Sequence, residues 1–120
     1  MLVDSNILIY ATKPTGHKAR HFLRQHAPAV ASISQIEALG YHQLSTNDLQ
    51  LLNAFFAQTV ILPLSTPVVN EAIRLRQQRK MSLGDAVVAA TALFHQLTLA
   101  THNTSDFAWI TGLTLTDPML

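Results

Sequence analysis

The sequence predicts an α/β fold, a three-layer sandwich built on a central parallel five-stranded sheet. Three observations predict it. Five short apolar runs alternate with stretches of helical periodicity along the whole chain, the pattern of strand–helix–strand units in a parallel sheet. The chain has 120 residues, 48% of them apolar, enough to bury a core as one domain over residues 1–120. The first run, Met1–Val3, passes straight into Asp4, and a carboxylate at the carboxyl end of a first buried strand sits where open α/β sheets bind their ligands.

The elements follow in order. Met1–Val3 reads as a short buried strand. Asp4 or Ser5 is placed to cap a helix over Ile7–Thr12, which stops before Pro14. Gly16–Gln25 reads as a second helix, with Phe22 and Leu23 inward and Lys18, Arg20 and Arg24 outward; Pro28 breaks it. Ala29–Ile33 is the second strand. Ser34 then opens a third helix with Glu37 three residues on, a capping-box spacing. Thr46 or Asn47 caps a fourth helix carrying Leu49, Leu52, Phe55 and Phe56 at helical spacing. Thr59–Leu62 is the third strand. Thr66 followed by Pro67 marks a fifth helix, which ends in the basic run RLRQQRK, Arg74–Lys80. Ser82 caps a sixth helix with Leu83, Ala86, Val87, Ala90, Leu93 and Phe94 on one stripe. Leu97–Ala100 is the fourth strand. The loop THNTSDF leads to a short helical turn at Ala108–Ile110, Gly112 turns the chain, and Leu113–Leu115 is the last strand.

Composition narrows the function. Only 12% of the residues are charged, about half the usual globular fraction. A domain this apolar is expected to cover surface against a partner or a second copy of itself. The net charge of +1 neither demands nor excludes nucleic acid. Cysteine is absent, which removes disulfides, thiolate metal sites and cysteine nucleophiles and suits the cytoplasm. The longest near-apolar stretch, Ala86–Phe94, is far short of the ~20 residues that span a bilayer. No basic segment followed by an apolar one opens the chain, so neither a secretory leader nor a membrane partner is expected.

Four of the seven acidic residues carry the chemistry. Asp4 follows the first strand, Glu37 and Asp85 lie in the first turns of their helices, and Asp106 follows the fourth strand. In a parallel sheet with right-handed crossovers these positions share one edge, so the four can meet in a single cleft. Each also has a plainer role. Asp4 can cap the first helix, Glu37 can complete a capping box with Ser34, Asp85 can complement the helix dipole behind Ser82, and Asp106 can cap the turn that follows it. Clustered like charges cost stability unless a cation neutralises them. Hard oxygen ligands without cysteine select Mg²⁺ or Mn²⁺ rather than zinc. Such an ion binds phosphate oxygens and acidifies an attacking water, so phosphodiester hydrolysis is the reaction expected.

These segments resemble the PIN-domain family, and most closely its small VapC-type toxin ribonucleases. The resemblance rests on VDSNILIY with Asp4, SISQIEALGY with Glu37, SLGDAVVAATAL with Asp85, LATHNTSDF with Asn103 and Asp106, and the closing LTLTDP. It implies a five-stranded parallel sheet, RNA cleavage to 5′-phosphate and 3′-hydroxyl products without use of the 2′-OH, and a homodimer silenced by a cognate antitoxin. It also implies that Asp4, Glu37 and Asp85 are the core acids, with Ser5 supporting Asp4. In the last loop Asp106 is assigned as the fourth acid and Asn103 as a polar or water-mediated ligand. The expected metal ligands are Asp4, Asp85 and Asp106, with Glu37 completing the catalytic set.

Other features take second place. Arg74, Arg76, Arg79 and Lys80 read either as a phosphate-gripping flank for RNA or as a solvated helix end. The six histidines form no metal pattern. Trp109 and Phe107 read as core plugs behind the last loop, with RNA stacking as the other use. Leu44, Leu49, Leu52 and Phe56 read as core, some of them lining the antitoxin groove that the resemblance implies. The alternative function is a catalytically weak PIN-like binding or assembly module, which the neutral Asn103 and the low positive charge favour. A haloacid-dehalogenase-like phosphatase needs an aspartate two residues after its nucleophile, and Asn6 stands there.

Overall fold

The computed structural model describes all 120 residues. The strands are β1 (Leu2–Val3), β2 (Val30–Ala31), β3 (Ile61–Leu62), β4 (Leu99–Ala100) and β5 (Leu115–Thr116), each two residues long. The helices are α1 (Ser5–Ala11), α2 (His17–His26), α3 (Ser32–Leu39), α4 (Thr46–Gln58), α5 (Thr66–Gln78), α6 (Leu83–Phe94) and α7 (Thr104–Phe107). Every strand pair is parallel.

The expected continuous five-stranded sheet is instead divided. β1, β4 and β5 form a three-stranded sheet in the order β1-β4-β5, and β2 pairs with β3 alone. A single parallel bridge, Leu2 to Ala29, links the two units. The Val3 N–H donates to the Ala29 carbonyl at 3.0 Å, and the Ala29 N–H to the Met1 carbonyl at 2.9 Å. The physical reason lies at the end of β2. The second strand was expected to run to Ile33, but α3 begins at Ser32, leaving Val30 and Ala31 to pair with β3 and only Ala29 to reach β1.

The two-residue strands explain the layering. Successive side chains of a strand point to opposite faces. Leu2, Ala31 and Leu99 enter one core with Val68, Leu75 and Phe107, whereas Val3, Val30 and Ala100 enter a second core with Ile7, Phe22 and Phe56. Helices therefore cover both faces, as the three-layer reading expected.

Several boundaries move. Asp4, one of the two caps expected, holds the N-cap position of α1, and the helix begins at Ser5 rather than Ile7. α4 is capped by Ser45, whose hydroxyl accepts the Asp48 N–H at 3.1 Å, rather than by Thr46 or Asn47. Thr66 is the first residue of α5, and Ser65 precedes it as the cap. The helical turn expected at Ala108–Ile110 lies earlier, as α7, and the last strand lies two residues later, as β5. α6 is capped by Ser82 as expected, its hydroxyl accepting the Asp85 N–H at 3.1 Å.

α6 departs from the amphipathic stripe. Residues Ala86 through Ala92 are all buried, while Leu83 and Phe94 are 60% and 50% exposed. The helix is walled in through its middle, and only its ends protrude. Alanines let neighbouring backbones approach closely, and the Thr91 hydroxyl satisfies itself on the Val87 carbonyl at 2.7 Å. Ala89→Leu should therefore cost about 1–3 kcal/mol through overpacking, measured by urea unfolding. Leu83→Ala, at the exposed end, should stay within about 0.5 kcal/mol.

Candidate active site

The site is built where β1 and β4 end. The Asp4 N–H still donates to the Ala100 carbonyl at 2.9 Å, so its backbone belongs to the sheet. Its side chain is 3% exposed and makes no hydrogen bond that caps α1. The Thr101 hydroxyl donates to Asp4 Oδ2 at 2.9 Å, and Thr101 Oγ1 in turn accepts the Asn103 N–H at 3.1 Å. Thr101 is itself pinned by its N–H to the Thr116 carbonyl at 2.9 Å. Thr101, just past the neighbouring strand, is thus the main hydrogen-bond partner of the carboxylate, and the Ser5 and Asn6 amides of its own helix act on it more weakly.

Glu37 arrives from α3. Ser34 stands inside that helix, not at its cap, and its buried hydroxyl has no protein partner. The expected capping box is therefore not formed, and Glu37 lies beyond the first turn instead of within it. Its carboxylate is free to accept the Ser5 hydroxyl at 2.9 Å. Ser5 Oγ lies 3.4 Å from Asp4 Oδ1, so its single proton serves Glu37 and the hydroxyl bridges the two acids.

The opposite wall comes from α6 and α7. Asp85 sits in the first turn of α6, half-buried, behind the Ser82 cap. Asp106 lies in the first turn of α7, exposed, with Asn103 at the N-cap position and no side-chain capping bond from it. The expected role of Asp106 as cap of a following turn is thus not found. A Cβ built on Gly84 would stand 2.4 Å from Glu37 Oε2, so the glycine leaves the space that the carboxylate occupies.

Electrostatics tie the four together. Burial raises the Asp4 carboxyl above its ordinary 3.8, the Thr101 hydroxyl opposes this, and the Glu37 charge adds to it. Burial also raises Asp85, and the charges of Asp4 and Asp106 raise it further. The donors are hard oxygens that suit Mg²⁺ or Mn²⁺ by chemistry. No three of the acids stand close enough in this arrangement to hold one ion between them.

The basic run divides. Arg76, Arg79 and Lys80 line a cavity of about 660 Å³ together with Asp85, Asp106 and Trp109. Arg74 does not; it pairs with Glu71 on the solvent side of α5. Phe107 is core as expected, whereas Trp109 is only half-buried and borders this cavity. Sequence reasoning passed over Thr101 and Gly84. A threonine directly after an apolar strand run, and a glycine next to a candidate acid, are the signals that were there to be read.

A protein-family model described as PIN domain matches residues 1–112. The chain belongs to the PIN-domain family. A chain from a toxin–antitoxin complex of Klebsiella pneumoniae is 31% identical to this PIN domain, with a TM-score of 0.80 over 98% of this chain and 96% of that one. The structures of DNA-bound VapBC from Salmonella typhimurium and of VapBC2 from Rickettsia felis bound to a promoter fragment contain chains that share the fold. Their TM-scores are 0.81 and 0.77, each at 20% identity, and the matches cover 98% and 97% of this chain and 96% of both of those. No curated protein sequence matches the chain. No helix is long and apolar enough to cross a membrane.

Two tests follow from the geometry. A carboxyl whose value is raised by folding adds stability below 3.8 that is lost as pH rises through the raised value. Asp4→Asn removes that penalty while keeping an acceptor for Thr101. In chelator, its melting temperature should exceed that of wild type by a margin that grows between about pH 4 and about pH 7. A constant margin would refute the burial argument. Gly84→Ala should leave stability within about 0.5 kcal/mol, because only the end of a flexible side chain must move. A crystal structure of it should show the Glu37 carboxylate turned away from Ser5.

Proposed function

We propose that this PIN domain is a divalent-metal-dependent endoribonuclease, the toxin component of a type II toxin–antitoxin pair, acting in the cytoplasm on RNA phosphodiester bonds. The observation that carries the reading is the buried Asp4 carboxylate. It is fixed by Thr101, bridged through Ser5 to Glu37, and raises the proton affinity of Asp85 across the cleft. Acids gathered at such a cost call for a positive charge.

Asp4, Asp85 and Asp106 would hold Mg²⁺ or Mn²⁺ in part through the ion's own waters, since no three of the acids stand close enough to ligate it directly, with Glu37 completing the set and Asn103 assisting. When bound, the ion supplies charge for phosphate oxygens and acidifies a water. The chain does the rest. Thr101 keeps Asp4 in one orientation, and Ser5 does the same for Glu37. The carboxylates accept hydrogen bonds from the attacking water and aim its oxygen at phosphorus, in line with the leaving 3′-oxygen. Arg76, Arg79 and Lys80 hold the strand by its phosphates; Arg74, engaged with Glu71, is left out of this role.

The likeness to a chain of a toxin–antitoxin complex supports a cognate antitoxin as partner. Ile36, Leu49 and Leu51 are exposed on α3 and α4 and suit its docking, while Leu52 and Phe56 are spent in the core. Leu64, Val69, Ile73 and Leu83 are exposed around α5 and the start of α6, and suit a homodimer.

Purified protein, freed of antitoxin, should cut a mixed RNA pool with Mg²⁺ or Mn²⁺ and not in chelator. Asp85→Asn should lower the rate on the order of 100-fold or more. Near-wild-type cleavage by that variant would overturn the proposal. The second reading, a binding or assembly module of low activity, draws on the spread of the acids and the neutral Asn103. Calorimetric titration with Mn²⁺ separates the two: an active site binds the ion and loses it in Asp85→Ala.

A further inference from the structure

We propose that Arg79 and Trp109 form a base-stacking subsite for single-stranded RNA beside the four-acid cleft, with Arg76 and Lys80 on the adjoining phosphates. The inference rests on the nuclease reading and deepens it by naming the strandedness of the substrate.

The two residues reach one place from different elements. Arg79 ends α5, and its guanidinium carbon stands 5.1 Å from the centroid of the Trp109 ring. That is within the ~6 Å of a cation–π contact. Trp109 follows α7 and donates its indole N–H to the Asp106 carbonyl at 3.0 Å. The bond fixes the edge of the ring through the residue whose carboxylate faces Asp85. Part of the ring packs on the core, and Arg79 covers the side toward the cavity.

Stability alone does not account for this grouping. Arg74 pairs with Glu71, and His102 hydrogen-bonds Asp117. Arg76, Arg79 and Lys80 share a cavity with Asp85 and Asp106, yet none of the three pairs with either acid. Their charge is left for an anion. The cavity volume of about 660 Å³ lies inside the ~300–1,000 Å³ of small-ligand sites. An aromatic face with unpaired cations beside it is the combination that holds unpaired nucleotides, because every base has a face to stack and a phosphate to grip. Arg79 occupies the indole face that a base would take. A base arriving there displaces the guanidinium onto its own phosphate. A duplex offers no such face without breaking a pair.

Trp109 is the only tryptophan of the chain, so intrinsic fluorescence reads this ring directly. The full chain carrying Asp85→Asn is titrated with a short single-stranded RNA and with the same sequence as a duplex. Saturable quenching by the single strand and about tenfold weaker binding of the duplex are expected. With labelled RNA, Trp109→Ala and Arg79→Gln should weaken binding about 5- to 20-fold and Trp109→Phe less than threefold. Absence of quenching while labelled RNA binds would overturn the subsite, as would unchanged affinity in both Trp109→Ala and Arg79→Gln. If Trp109→Ala does not fold, Arg79→Gln decides. Quenching by the single strand in Asp85→Asn, together with no cutting by the wild-type chain in Mg²⁺ or Mn²⁺, would sink the nuclease reading and keep the subsite.

Discussion

One hydrogen bond organises the site, the one from the Thr101 hydroxyl to the Asp4 carboxylate. A buried carboxylate in a domain this apolar is expensive unless its lone pairs are met. Thr101 meets one of them, and Thr101 is held in place by β5 on its far side and by the Asn103 amide. The geometry of Asp4 is therefore the geometry of the sheet. Everything else at the site is arranged relative to that fixed acid. Ser5 is adjacent in sequence and ties Glu37 to it, while Asp85 feels its charge.

The sheet does this with very little strand. Each strand is two residues long, so β1, β2, β3 and β4 each give one side chain to each core and then end. Their ending is what delivers function. Asp4 follows β1 immediately, Thr101 follows β4 immediately, and α3 starts directly after β2 and carries Glu37 toward them. The division of the sheet into three and two strands is the same economy seen from the side.

Much of this was legible beforehand, for reasons that can be located. The order of strands and helices follows from apolar runs separated by strong caps such as Ser82, and the layering follows from the parallel pattern. That the four acids lie toward one edge of the sheet follows from topology, which stops short of bringing three of them around one ion. What failed was local. Ser34 and Glu37 have the spacing of a capping box, but the helix had already started at Ser32, because nothing in a capping motif records where the preceding strand stops. α6 read as a stripe because its alanines count as weakly apolar, while the neighbours that bury its other faces lie far away in sequence. Arg74 could not be parted from Arg79 by composition; only the turn of α5 sends one to Glu71 and the other to Trp109.

The pairing of Asp4 with Thr101 also bears on how the protein is made. The two residues lie 97 apart in the sequence, and β4, which fills the place between β1 and β5, is synthesised long after β1. Until it emerges, β1 has an open edge and Asp4 is an ordinary solvated carboxylate. The loop that must close is long, and its entropy is met only when β4 and β5 arrive. A nascent or prematurely ended chain therefore carries Asp4, Glu37 and Asp85 without the strand that orients the first of them. The carboxylate is therefore made long before the strands that fix its orientation.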